Sequence, residues 1–74
     1  MTITVKLFAT LRENREKIFP LEIGENATPT DVCSILDIPI ETVAIIMVNG
    51  RSVQKDSALN DKDILALFPP VGGG

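Results

Sequence analysis

The chain of 74 residues contains no histidine. That absence removes imidazole acid–base catalysis and zinc sites of the ordinary cysteine–histidine kind. There is a single cysteine, Cys33, so no disulfide can close within the chain. Long apolar runs are also missing. The longest uninterrupted one, Val43 to Val48, falls far short of a membrane span. The N-terminus lacks the basic start and apolar core of a signal peptide, so a reduced, cytoplasmic setting is expected, with no membrane partner. No basic cluster exists either. Lys6, Arg12, Arg15, Lys17, Arg51, Lys55 and Lys62 are spread along a chain of net charge −3, which leaves no nucleic-acid footprint. A mildly acidic surface suits a basic protein partner. With hydrophobic residues at 45% and charged residues at 23%, the composition is that of one small globular domain.

Periodicity supplies the elements. Thr2 to Phe8 alternates, with Ile3, Val5 and Leu7 on one face, and predicts a strand. Ala9 to Glu16 reads as a connection. Lys17 to Ile23 alternates again, with Phe19, Leu21 and Ile23 together. Pro20 interrupts this second strand, and a residue with no amide hydrogen places it at a sheet edge or a bulge. Thr28-Pro29-Thr30-Asp31 reads as a helix start, with Thr28 as cap and Pro29 as first helical residue. Val32, Ile35 and Leu36 share a face, and Pro39 stops the helix at or before Ile38. Thr42 to Val48 predicts a buried strand. Asn49-Gly50 predicts a tight hairpin turn into a short strand over Arg51 to Val53. Leu59 is the inward anchor of a polar stretch, and Asp61-Lys62-Asp63 reads as a turn. Ile64 to Phe68 is the last strand.

The order strand, strand, helix, strand, short strand, strand gives an α+β domain. The economical architecture is a mixed sheet of four to five strands packed on one short helix, with first and last strands central and parallel. That is the β-grasp, or ubiquitin-like, fold, expected over residues 1–68, with a flexible tail over 69–74. The tail is Pro69, Pro70, Val71, Gly72, Gly73 and Gly74. The prolines end the strand and stiffen its exit. The glycines carry nothing that could pack. Extended, these residues reach about 20 Å at roughly 3.3–3.6 Å each, enough to enter a narrow cleft on another protein.

Three stretches carry a resemblance. Lys6-Leu7-Phe8-Ala9-Thr10-Leu11-Arg12-Glu13 resembles the first strand and turn of the MoaD/ThiS sulfur carriers. Leu59-Asn60-Asp61-Lys62-Asp63-Ile64 resembles their turn into the final strand. Phe68-Pro69-Pro70-Val71-Gly72-Gly73-Gly74 resembles the ending of the small subunit of molybdopterin synthase, with Gly72 at that ending's variable place. The segment from Thr28 to Ile40 is shorter than that branch leads one to expect.

The resemblance implies a carrier rather than an enzyme. Gly74 would be the reacting residue, its carboxylate joined to AMP and then converted to a thiocarboxylate that donates sulfur in molybdopterin (molybdenum or tungsten cofactor) biosynthesis. Phe68, Pro69, Pro70, Val71, Gly72 and Gly73 would bind partners, with Phe68 equally readable as a core residue. The implied partners are an E1-like adenylating enzyme, a larger molybdopterin synthase subunit and a sulfur donor protein. No cofactor would be bound, and the ATP would be used by the adenylating enzyme. A thiamin-pathway carrier and a ubiquitin-like modifier joined through the same glycine are the alternatives. An interaction domain with an idle tail ranks last.

Other candidates have plainer readings. Cys33 reads as inert helix packing rather than a nucleophile. Asp56, Asp61 and Asp63 read as turn-forming and solvated rather than as a cation site. Arg12 and Arg15 read as solvated loop charges, with partner contact as the alternative.

Overall fold

The computed structural model describes residues 1–70. The strands are β1 (Thr2–Leu7), β2 (Ile18–Glu22), β3 (Ile45–Val48), β4 (Arg51–Ser52) and β5 (Ile64–Phe68), and the helix is α1 (Pro29–Ile35). They form one five-stranded sheet in the order β2-β1-β5-β3-β4. β1 and β5 are parallel, and the other pairings are antiparallel. Alternation decides which way each strand faces. Ile3, Val5 and Leu7 of β1 and Leu65 and Leu67 of β5 are all buried, and they meet Val32 and Cys33 of α1 in a single core. β2 lies at the edge, as Pro20 requires, paired only with β1. Among the described residues no helix is long and apolar enough to cross a membrane.

The short helix is held by its ends. Thr28 accepts a hydrogen bond from the Asp31 amide, and the Asp31 carboxylate accepts one from the Thr28 amide. This reciprocal box satisfies two donors that the first turn leaves free. At the other end Asp37 adopts φ 59°, the Ile38 amide donates to Cys33 O at 2.8 Å, and the Asp37 amide donates to Ser34 O at 3.2 Å. That left-handed cap, not Pro39, ends the helix. Thr28→Ala is expected to cost about 1 kcal/mol of folding free energy, measured by urea denaturation, because the Asp31 amide loses its side-chain acceptor while the backbone bond from residue 28 to the Asp31 carboxylate remains.

Two sequence expectations are corrected here. Ile35 does not share the buried face; it is 55% exposed. The buried stripe is Pro29, Val32, Cys33 and the half-buried Leu36. At about 100° per residue, Ile35 lies roughly 110° from the centre of that stripe. β3 starts at Ile45 rather than Thr42. The Thr42 hydroxyl and amide both donate to Pro39 O, at 2.6 and 2.9 Å, and fold Ile40–Thr42 into a 3-10 turn. The hydroxyl offers the backbone an alternative to the ladder.

The Asn49-Gly50 turn has both residues at positive φ, 51° and 84°, as a tight hairpin turn between antiparallel strands requires. Asn49 also reaches across the sheet: its side-chain amide donates to Asp63 at 2.9 Å, and its oxygen accepts from the Ile64 amide at 2.9 Å. Asp63 accepts a second bond from the Asn60 amide at 2.8 Å. Asp63 is therefore turn-forming but buried, not solvated as its sequence context suggests. Among the described residues, Asp56, Asp61 and Asp63 are not gathered into a group of three that could hold a metal ion.

Candidate functional site: the platform where the last strand ends

Because β1 and β5 are parallel, both finish at the same end of the sheet. Leu7 is in register with Leu67, so the next residues, Phe8 and Phe68, fall side by side. Their rings stack at 4.3 Å between centroids with 11° between planes. Phe68 thus lies half-buried on the face of the sheet away from the helix, since its strand neighbours Leu65 and Leu67 take the core side. The core reading of Phe68 is set aside by this alternation.

The turn after Phe8 completes the platform. Ala9 adopts φ 52°, a left-handed conformation that costs a residue with a Cβ about 1–2 kcal/mol. This reverses the chain into the 3-10 turn Ala9–Arg12, which buries Leu11. Arg12 then returns over the site. Its Nε donates to Leu7 O at 2.9 Å, and its guanidinium carbon lies 5.5 Å from the Phe8 ring centroid. A cation so placed is attracted to the ring face. Arg15 donates to the carbonyls of Leu11, Glu13 and Asp37, tying this turn to the end of the helix. Both arginines are exposed, as loop charges are expected to be, and each is in addition tied to backbone carbonyls. Nothing in the spacing of Phe8 and Arg12 marks them; the signal available was that parallel first and last strands bring Phe8 beside Phe68.

The root of the tail is anchored from two sides. The Phe8 amide donates to Leu67 O at 3.2 Å, and the Ala44 amide donates to Phe68 O at 2.8 Å. Ile45 is the register partner of Phe68, so Ala44 and Ile45 together face one residue, a bulge in β3. Pro69 follows half-buried and Pro70 exposed. Having no amide hydrogens, they cannot extend the ladder. Val71, Gly72, Gly73 and Gly74, assigned to partner binding and reaction from the sequence, lie outside the described residues.

The platform opens onto an apolar sheet face. Ile18, Ile45 and Ile64 are exposed on it, beside the half-buried Met47 and Ala66. The one thiol is elsewhere. Cys33 is 1% exposed in the core, and burial pushes its pKa up, which holds it protonated and unreactive.

A mixed five-stranded sheet that grasps one helix, with parallel first and last strands, defines a ubiquitin-like β-grasp protein. The chain belongs to the ThiS family, whose model matches residues 5–74. It is a small carrier or modifier type of protein, MoaD/ThiS-like in fold. The putative molybdopterin converting factor subunit 1 of Pyrococcus furiosus is similar, at 27% identity and TM-score 0.75 over 96% of this chain and 99% of that one. So is small archaeal modifier protein 1 of Haloferax volcanii, at 26% identity and TM-score 0.77 over 95% and 98%. A third structure, a complex of subunits 1 and 2 of the molybdopterin-converting factor from Helicobacter pylori, shares the fold, at 24% identity and TM-score 0.66 over the full length of both chains. No curated protein matches the sequence.

Proposed function

We propose that this protein is a sulfur carrier, not itself an enzyme, acting in molybdopterin biosynthesis through the carboxylate of Gly74. The observation that carries the reading is the Phe8–Phe68 platform, a rigid apolar dock at the root of a segment that ends in three glycines. The chemistry follows from the weakness of a carboxylate as an electrophile. An E1-like adenylating enzyme, with its own ATP, would form the acyl adenylate and release pyrophosphate. The terminal sulfur of a persulfide on a donor protein would then attack the carbonyl carbon and expel AMP, leaving an acyl disulfide to the donor. A second thiol would cleave that sulfur–sulfur bond, which leaves a disulfide on the donor side and frees the thiocarboxylate. Its sulfur would pass to the cofactor precursor on a larger synthase subunit, a partner supported by the subunit pairing in the Helicobacter complex.

The chain's own residues would bind and orient. Phe68, Pro69, Pro70 and Val71 form the collar in this reading, and Gly72 and Gly73 pass a channel that a Cβ would block. Residues 1–68 are the folded body and 69–74 the working tail. A chain ending at Pro69 is expected to melt within a few degrees of the full chain, because the described core closes before it; calorimetry checks this. The molybdopterin branch is favoured over a thiamin-pathway carrier by the Phe68-Pro69-Pro70-Val71 run. A modifier joined to lysines through Gly74 is the second reading, favoured by the similarity to small archaeal modifier protein 1. Intact-mass analysis after coexpression with the cognate adenylating enzyme separates the two. One oxygen replaced by sulfur supports the carrier, and isopeptide adducts support the modifier.

A further inference from the structure

The centre of the open sheet face is occupied by a cation. Lys6 is half-buried there, and its register neighbours are Ile18 on β2 and Ala66 on β5, with Met47 next in the same row. The nearest same-face neighbours along β1 are Thr4 and Phe8. None of these residues is acidic. The platform stack of Phe8 and Phe68 borders the row directly.

We propose that Lys6 selects the docking partner, and that the partner is a protein surface presenting a carboxylate set within apolar ground. The inference rests on the docking role given to Phe8 and Phe68 above. A partner that covers those rings also covers Lys6. An ammonium taken out of water without a counter-charge costs several kcal/mol, so a surface with no carboxylate at that point is rejected. The demand is local, and its sign is opposite to that of the chain as a whole. The net charge of −3 favours a basic partner at long range, whereas the centre of the face requires an acid. A second copy of this chain does not meet the requirement. A two-fold axis through the row would set Lys6 against Lys6. A nucleic acid is disfavoured because two cations, Lys6 in the row and Arg12 over the Phe8 ring, make no phosphate-tracking stripe.

The test is calorimetric titration of the full-length protein with the adenylating enzyme of the same organism, without ATP, at low and high salt. Lys6→Met keeps the aliphatic stem and removes the charge. It is expected to weaken binding by roughly thirtyfold, because the partner's carboxylate is left buried and unpaired. It should also flatten the salt dependence, while Lys6→Arg binds within a few-fold of the parent. Thermal melts confirm that both variants fold. Unchanged binding by Lys6→Met, or weaker binding with the salt dependence intact, would overturn the assignment. So would a concentration-dependent dimer buried through this face in sedimentation. Phe68→Ala, run alongside, separates the two ideas. If it loses binding while Lys6→Met keeps it, the dock stands and the role of Lys6 falls. If Phe68→Ala binds as the parent does, the dock itself is wrong.

Discussion

A Gly74→Ala variant is expected to lose sulfur loading while folding normally, and a single residue added after Gly74 should do the same. The added methyl meets a channel shaped for glycine in the first case. In the second the carboxylate sits one residue beyond the adenylating site. Positioning supplies much of the advantage of such a reaction, and an error of about 1 Å costs on the order of a hundredfold in rate. Cys33→Ala is the control. Its thiol is buried and held protonated, so loading should stay near the parent level at some cost in packing. The measurement is thiocarboxylate formation with adenylating enzyme, ATP and a sulfur source, beside a melt of each variant. Loss of loading in folded Cys33→Ala, with loading kept in Gly74→Ala, would place the reacting group on the cysteine and sink the carrier reading.

The second large effect separates folding from docking along one strand. Leu65 is fully buried, whereas Phe68 stands three residues later on the opposite face. Leu65→Ala is expected to cost about 2–5 kcal/mol through lost burial and a residual cavity. A chain of this length has about 4–11 kcal/mol to lose, so the melting temperature should fall by about 10 °C or more. Loading at low temperature, where the variant is still folded, should be little changed. Phe68→Ala should show the reverse. It loses about 1 kcal/mol of ring stacking, but removes a central aromatic anchor from the dock. Such anchors are worth about 2 kcal/mol or more in a complex, or roughly thirtyfold in affinity. Equal losses of stability in both variants would place Phe68 in the core and remove the platform.

Much of this architecture was legible in the sequence because it rests on local rules. Period-two alternation marked β1 and β5, the Thr28-to-Asp31 box marked the helix start, and Asn49-Gly50 marked the hairpin. Pro20 marked the edge. Departures came where a distant partner decides. Val32, Ile35 and Leu36 satisfy helical spacing, but so do Pro29, Val32, Cys33 and Leu36, and only packing against the sheet chooses the second set. Asp63 looks solvated in its own turn, yet it is held by Asn49 from another hairpin. The candidate site was half legible. Phe68 and Pro69 announce themselves by their place before the glycines. Phe8 and Arg12 join them only through the parallel register of β1 with β5, a contact across sixty positions that no local pattern encodes.

That same register has a mechanical meaning. A pull applied at Gly74 enters the domain through Phe68 and runs along β5, which lies in the middle of the sheet between β1 and β3. Leu67 O is gripped from one side by Phe8, and Phe68 O from the other by Ala44. Tension along the strand therefore loads the cross-strand bonds side by side, in shear. A strand peeled from an edge would instead surrender them one at a time. Forced unfolding is governed by the rate of crossing that barrier rather than by equilibrium stability. A partner that draws on the C-terminus thus meets a stiff handle, and the tension moves the whole body instead of unravelling it.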